Sequence, residues 1–319
     1  MQLRYDDDFI ETAVALAASG RLGTVPTLQV VRFHRERERL YSILEAEMRN
    51  VAFFRLHLDW FREWGLELPL NEVLTQFRLV KEALTSLAIR RSIDKRDEGA
   101  ELYVNASGQR TGMLALRLER FGNREGFRDY LRHEFTHLHD MLDPGFGYSP
   151  VVELPDLNPA QLRLAVERYR LVWDITIDAR LAAAGHRPEC SREQHAAGFA
   201  RGFAFWSESK QNETFAALWQ TPAPRHATLL TLVADPRGWR SNKGPAPGAA
   251  CPLCGFPTFA WADAGSLGTA LRTRVETEFP TWLPEQGLCQ RCLEAYEVGP
   301  LPDGERVNQQ SGRFIQSPV

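Results

Sequence analysis

Residues 127–142, FRDYLRHEFTHLHDML, put Phe127, Tyr130, Leu131, Phe135, Leu138, Met141 and Leu142 on one side of a helix, with Glu134 in the middle of that apolar stripe. A carboxylate that faces a core is costly unless something compensates it. The chain must therefore fold so that this helix packs on a core and also meets a partner for Glu134. A bland surface helix would carry the glutamate on its opposite side.

The residues beside Glu134 suggest the partner. His133 and His137 lie four apart on the edge of the stripe, so both imidazoles reach one point. Zinc accepts neutral imidazole nitrogens, and two from one rigid element is a known ligand spacing. Glu134 is close enough to act as general base on a zinc-bound water without binding the metal itself. His139, two residues beyond His137, points away and reads as a surface or supporting histidine.

Catalytic zinc usually keeps three protein ligands. Asp143 stands ten residues after His133, but with Asp140 in DMLDPGFG it more simply caps the helix end and its turn. The stretch LVWDITIDARLAAAG, residues 171–185, is apolar nearly all round, and its charged side chains are Asp174, Asp178 and Arg180. Two carboxylates one turn apart in such a segment need a metal, an imidazole N–H or an arginine. One aspartate can bind zinc while the other holds a ligand histidine by its second nitrogen. Alternatively Arg180 pairs with one of them and the other faces water.

HExxH on one helix with an acidic pair on a later one resembles the gluzincin type of zincin peptidase. That resemblance implies Asp174 as ligand and Asp178 as its support. WDITID is also similar to a stretch in a bacterial metallopeptidase-like family found beside von Willebrand-like domains, which implies Asp178 as ligand. An aspartate at 174 departs from the gluzincin glutamate, so Asp178 is preferred and Asp174 stays open. The metzincin pattern needs a glycine at position 140, where this chain has Asp140. SprT-like proteases also join such a helix to a zinc ribbon, but they need a third histidine soon after the motif, and none lies between 139 and 186.

Five cysteines are present, four of them in CPLCG (Cys251, Cys254) and CQRC (Cys289, Cys292). Two such pairs suit one tetrahedral structural zinc held by four thiolates. The glycine after the first pair suits a tight knuckle, and FPTFAWAD and LRTRVETEFPTWL can supply the strands of a ribbon. Cys190 stands alone and reads as an inert thiol. Two zinc ions are expected, one catalytic and one structural.

The rest of the chain has 44% hydrophobic and 25% charged residues over 319 positions, which is globular. A net charge of −3 gives no field that favours nucleic acid or an anionic membrane. The first twenty residues lack a basic leader pattern, and no apolar stretch is long enough to span a bilayer. A cytoplasmic protein is expected.

The predicted architecture is α+β and mostly helical. A helical region spans 1–95, with a broken periodicity typical of long helices over 27–64 and a further helix from Asn71 to Ser92. A zincin-like core spans 96–241, with a β-hairpin from ELYVNA and MLALRLERF, the histidine helix, a helix from an Asn158 cap to Gly185, and shorter helices beyond, the first capped by Ser191. A linker and zinc ribbon occupy 242–298, and a flexible tail 299–319. The function expected is a zinc-dependent hydrolase, a peptidase first, acting on a protein or peptide. Glu134 is the base, and Tyr148 or Arg180 binds substrate or steadies the oxyanion. The alternatives are an interaction or nucleic-acid-binding protein that works through the ribbon, and an amidohydrolase of small amides.

Overall fold

The computed structural model describes residues 1–150, 154, 157, 159–234, 236, 245, 248–262 and 267–298. The chain divides into two units, Met1–Ala234 and Asp235–Val319.

The first unit begins with β1 (Gln2–Tyr5), α1 (Asp7–Ala18), α2 (Thr27–Leu40), α3 (Ala46–Glu63), α4 (Leu68–Leu74) and α5 (Arg78–Ala83). Then come β2 (Ser86–Arg91), β3 (Gly99–Val104), β4 (Arg110–Leu116) and a 3₁₀ turn at Leu118–Gly122. The helices α6 (Arg124–Leu142), α7 (Pro159–Ala183), α8 (Arg192–Gly202), α9 (Glu208–Trp219) and α10 (His226–Ala234) follow. The strands form one sheet in the order β1-β2-β4-β3. β2 runs parallel to both β1 and β4, and β3 pairs antiparallel with β4 as the edge.

The expected hairpin is β3–β4. Two strands were not expected. The stretch LAIRR, read as the end of a helix from Asn71, is the central strand β2. Parallel strands covered on both faces lose the alternating pattern that marks half-buried ones. Leu87 and Ile89 are fully buried here, and the partners that make them a strand lie far off in sequence. The same expected helix is also broken between α4 and α5, and Asn71 lies inside α4 rather than capping it.

The pattern over 27–64 is two helices. Ser42 Oγ donates to the Arg39 carbonyl at 2.7 Å as α2 ends, and Tyr41 meets Phe53 at 5.2 Å between ring centroids. Phe33 of α2 then packs edge-on against Trp60 and Trp64 at the end of α3. A chain without Gly or Pro still turns here because burying these aromatics against each other outweighs continuing the helix.

One buried cluster joins Phe9, Phe61, Leu70, Leu87 and Leu114 to Phe127, Leu131, Phe135 and Leu138 of α6. The boundary expected at 95/96 thus falls inside a single core. A second cluster, around Val172, Ile175, Phe199 and Phe203, covers the far side of α7. Gly185, with φ of 80°, ends α7 as expected. Ser191 caps α8 in a capping box with Gln194. Asn158, the expected cap of α7, lies outside the described residues.

The second unit contains β5 (Trp261–Ala262), α11 (Thr269–Glu278), β6 (Leu288–Cys289) and α12 (Gln290–Glu297), with β5 and β6 antiparallel. FPTFAWAD supplies β5. LRTRVETEFPTWL forms mainly α11 instead of a strand. Most of the expected linker and the whole expected tail lie outside the described residues. No helix among the described residues is long and apolar enough to cross a membrane.

Candidate metal and catalytic site

Asn123 opens α6 by accepting the Gly126 N–H. The stripe read from the sequence faces the sheet: Phe127, Tyr130, Leu131, Phe135, Leu138 and Leu142 are buried. His133 and His137 rise from the stripe's edge with ring centroids 5.0 Å apart, as the i,i+4 spacing requires. Glu134, also buried, turns one oxygen to β3, where the Ala100 N–H donates to Oε2 at 2.8 Å. In the β3–β4 register the Ala100 N–H points away from β4, so the edge strand has it to give. Gly99, with φ of 144°, permits the backbone turn just before it.

α7 crosses so that Asp174 and Asp178, one turn apart, meet His133 from two sides. Asp174 Oδ1 lies 3.1 Å from Nε2 of His137 and 3.8 Å from Nε2 of His133. These three ligand atoms lie within 4.8 Å of one another. Asp178 Oδ1 lies 2.8 Å from the other nitrogen of His133, Nδ1. An ionised carboxylate only accepts, so Nδ1 carries the proton there and Nε2 faces Asp174.

Asp178 is completely buried. Besides His133 it accepts from Nε2 of His195 at 2.7 Å and from the backbone N–H groups of Glu189 and Cys190 at 3.1 and 2.9 Å. Four donors fill its two oxygens. The preference for Asp178 as the third ligand is therefore not what the geometry favours: Asp174 faces the two Nε2 atoms, and Asp178 fixes His133 from behind. Burial works against charge on both groups, but the histidines outweigh it and hold both carboxyls well below their ordinary range. Burial likewise opposes charge on His133, and Asp174 and Asp178 together push it well above the usual imidazole value.

Arg180 is elsewhere. Its Nη1 and Nη2 donate to Asp140 at 2.9 and 2.6 Å, and Trp173 Nε1 adds a bond to Asp140 at 2.8 Å. The pairing of Arg180 with Asp174 or Asp178 is not found, nor is a place for it in the site, because Asp140 takes both arms of the guanidinium. Asp140 braces α6 to α7 instead of capping a turn. Asp143 does end α6, and its side chain accepts the Gly145 N–H at 2.8 Å. Trp173 packs edge-on against His137 at 4.5 Å. His139 is 38% exposed at its side chain, on the side away from the cluster's ligand atoms.

His133, Glu134, His137 and Asp174 open into a cleft of about 580 Å³, and Tyr148, Trp173, Met141, Arg90, Arg96 and Arg170 are among its walls. Tyr148 is the sequence-read candidate that reaches it. The reading missed His195, although a signal was present: His195, Phe199 and Phe203 recur every four residues and share a buried face. The Ala100 amide left no signal, because a backbone group at a strand edge has no residue signature.

In the second unit the Gly255 N–H donates to the Cys251 carbonyl at 2.7 Å, and Gly255 takes the positive φ that such a knuckle needs. The Sγ atoms of Cys251 and Cys292, and those of Cys254 and Cys289, stand 3.8 Å apart. That is far beyond a disulfide bond. All four sulfurs lie within 4.8 Å of one another. Burial opposes ionisation of Cys251, but N–H groups of Cys254, Cys289 and Leu253 outweigh it and lower the thiol to about 7. A preset thiolate inside a four-sulfur cage fits a metal ion. Cys190, with its thiol pushed up by burial and by Asp178, is a poor nucleophile.

No family model matches the chain, and no curated protein or solved structure matches it.

Proposed function

We propose that the chain is a zinc-dependent hydrolase acting on peptide bonds, with His133, His137 and Asp174 as metal ligands and Glu134 as general base. One observation carries the reading. Two imidazole Nε2 atoms and one carboxylate oxygen converge on a cleft, and a second carboxylate, not part of that donor set, stands beside them. A purely structural cluster has no use for Glu134. Two nitrogens and one oxygen suit zinc and leave a coordination position free.

Zinc held there supplies Lewis acidity and makes water a nucleophile near neutral pH. The chain's own groups do the rest. Ala100 N–H fixes one oxygen of Glu134, so that the other can take a proton from the attacking water and pass it to the leaving amine. Asp178 holds His133 by Nδ1 and keeps its Nε2 turned to the site. Tyr148, which lines the same cleft next to Trp173, is the candidate donor to the developing oxyanion.

The peptide substrate class rests on β3. Leu102 and Val104, with the Ala100 carbonyl, turn their backbone groups away from β4 at the edge of the sheet, while the Ala100 N–H is taken by Glu134. An extended peptide can pair along such an edge and lie beside the cluster. That feature favours a peptide over a small amide. The cysteine cage fits a structural zinc that holds the second unit together, and the ribbon-like arrangement is read in that role.

The deciding experiment is metal analysis with a peptide-cleavage assay of the parent and Glu134→Gln. Two zinc per chain is expected in both proteins, with cleavage by the parent reduced about 10²–10⁴-fold in the variant. Equal activity in the two proteins would reject Glu134 as base. A single zinc removed by cysteine substitution would reject the catalytic centre.

A further inference from the structure

We infer that the cleft selects a substrate carboxylate close to the cleaved bond through Arg170, with Arg96, which also lines the cleft, as a second cation. This deepens the peptidase reading and rests on it.

The inference comes from the charges that line the cleft. Glu134 is held by Ala100 N–H and Asp174 by the two histidines. Asp97 makes a two-pronged pair with Arg90 at 2.7 and 2.6 Å. Glu98 is held by Arg120 at 2.6 and 3.0 Å. Glu101 takes the Tyr103 hydroxyl and sits in the field of Arg90. Every carboxylate on the wall thus has a partner.

Arg96 and Arg170 line the same cleft, and among the described residues neither takes part in an ion pair. A divalent ion would balance Glu134 and Asp174, and Arg90 is taken by Asp97, so Arg96 and Arg170 stand against Glu101 alone and one positive charge is left over.

Arg170 has the more telling position. It lies one turn before Asp174 on α7, on the same helical face. The two Cβ atoms of such a pair are roughly 5–6 Å apart, so the guanidinium flanks the ligand carboxylate. Asp174 is engaged with the histidines, so it does not neutralise its neighbour. Trp173 and Tyr148 line the same cleft with ring centroids 5.7 Å apart. Burial raises the Tyr148 phenol, and the charges of Arg170, which favours its ionisation, and of Glu101, which opposes it, both reach it. A guanidinium in a cleft that aromatic side chains also line, with no ion-pair partner among the described residues, is suited to two-pronged carboxylate recognition. The recognised group is either an aspartate or glutamate side chain or the free carboxyl end of the substrate.

Peptides of one sequence, with Glu, Gln or Lys at each position flanking the cleaved bond and with a free or amidated C-terminus, separate these sources. In the parent, Glu at one position, or the free terminus, should raise kcat/KM about tenfold or more over its neutral counterpart. The preference should shrink as salt rises. Arg170→Glu should reverse the order so that Lys exceeds Glu, and Arg170→Lys should keep part of the preference.

Binding of the same peptides to zinc-loaded Glu134→Gln, read by fluorescence anisotropy, gives the ranking without turnover. Equal cleavage or binding of Glu, Gln and Lys peptides, or an acidic preference that survives Arg170→Glu and Arg96→Glu together, overturns the inference and leaves the hydrolase reading intact. Acid-selective binding by a parent that cleaves none of the peptides keeps the inference and rejects the hydrolase reading. Absence of binding to any member overturns the inference as well.

Discussion

The α6–α7 cluster and the cysteine cage each gather their ligand atoms within 4.8 Å, but they stand in opposite relations to the cores around them. The histidines rise from a helix that already belongs to a large buried cluster, joined from α1 to α6 through Phe9, Leu87 and Phe135. A second apolar cluster covers the other side of α7, and Arg180–Asp140–Trp173 ties the two helices together. Around the cage, by contrast, the buried apolar cluster among the described residues is Cys251, Ala262, Val275, Trp282, Leu288 and Cys289, so two of these six are cysteines of the cage itself. A core of that size is marginal without a staple. On the proposed reading, the first region is a fold that can hold a metal, and the second is a fold that depends on one.

The largest expected effect breaks the second region and spares the first. Cys289→Ser with Cys292→Ser should abolish the second unit's tertiary structure, since structural zinc in such small sites supplies roughly 10–16 kcal/mol of folding free energy. Limited proteolysis should degrade the chain beyond about residue 235 and leave Met1–Ala234 resistant. One zinc should be lost and one kept. Simultaneous loss of both metals, or melting of both regions together, would erase the contrast.

Within the first region, the two aspartates sharpen it. Asp174→Ala should empty the α6–α7 site, because it removes one of three converging ligand atoms. Asp178→Ala should weaken zinc affinity by about 10- to 100-fold without emptying the site, the usual cost of losing a group that holds a ligand histidine. Competition with a zinc chelator measures both. An empty site in Asp178→Ala and a filled one in Asp174→Ala would restore the order preferred from sequence. His195→Gln should follow Asp178→Ala in direction and fall below it in size, since it removes one of four donors to that carboxylate.

Why the sequence favoured Asp178 while the geometry favours Asp174 depends on how the two helices meet. The i,i+4 spacing shows that Asp174 and Asp178 share a face, and it shows the same for His133 and His137. Which carboxylate meets which side of an imidazole depends on how far α7 slides along α6, and that is set by Trp173, Asp140 and Arg180, which are not local to either motif. The stripe on α6, the hairpin, the C-terminal end of α7, the Ser191 cap of α8 and the cysteine pairs were legible because each depends on residues a few positions apart. β2 and the α2–α3 break were not. The strand depends on β1 and β4 from opposite directions in the chain, and the break depends on Tyr41 finding Phe53. Arg180 was misjudged for a related reason: Asp140 looked like a turn residue, because nothing local marks an aspartate that a distant arginine will claim.

The smallest expected effect tests the brace itself, with the metals removed. Asp140 is buried, and burial raises its carboxyl; His139, Arg180 and Trp173 outweigh this and leave it at about 2 against an ordinary 3.8. Because the folded value is the lower one, its contribution to stability is complete above about pH 4 and disappears as pH falls through about 2. The difference corresponds to roughly 2 kcal/mol. In chelator the second unit should already be unfolded, so a thermal or urea melt reads the first region alone. The parent should lose more stability than Asp140→Asn between pH 4 and pH 2, and the variant should be weaker at neutral pH because Arg180 is left partly buried beside a neutral amide. Parallel curves for the two proteins over that window would mean that Asp140 is not held as a charge, and that the first region owes its order to apolar packing without the ionic brace.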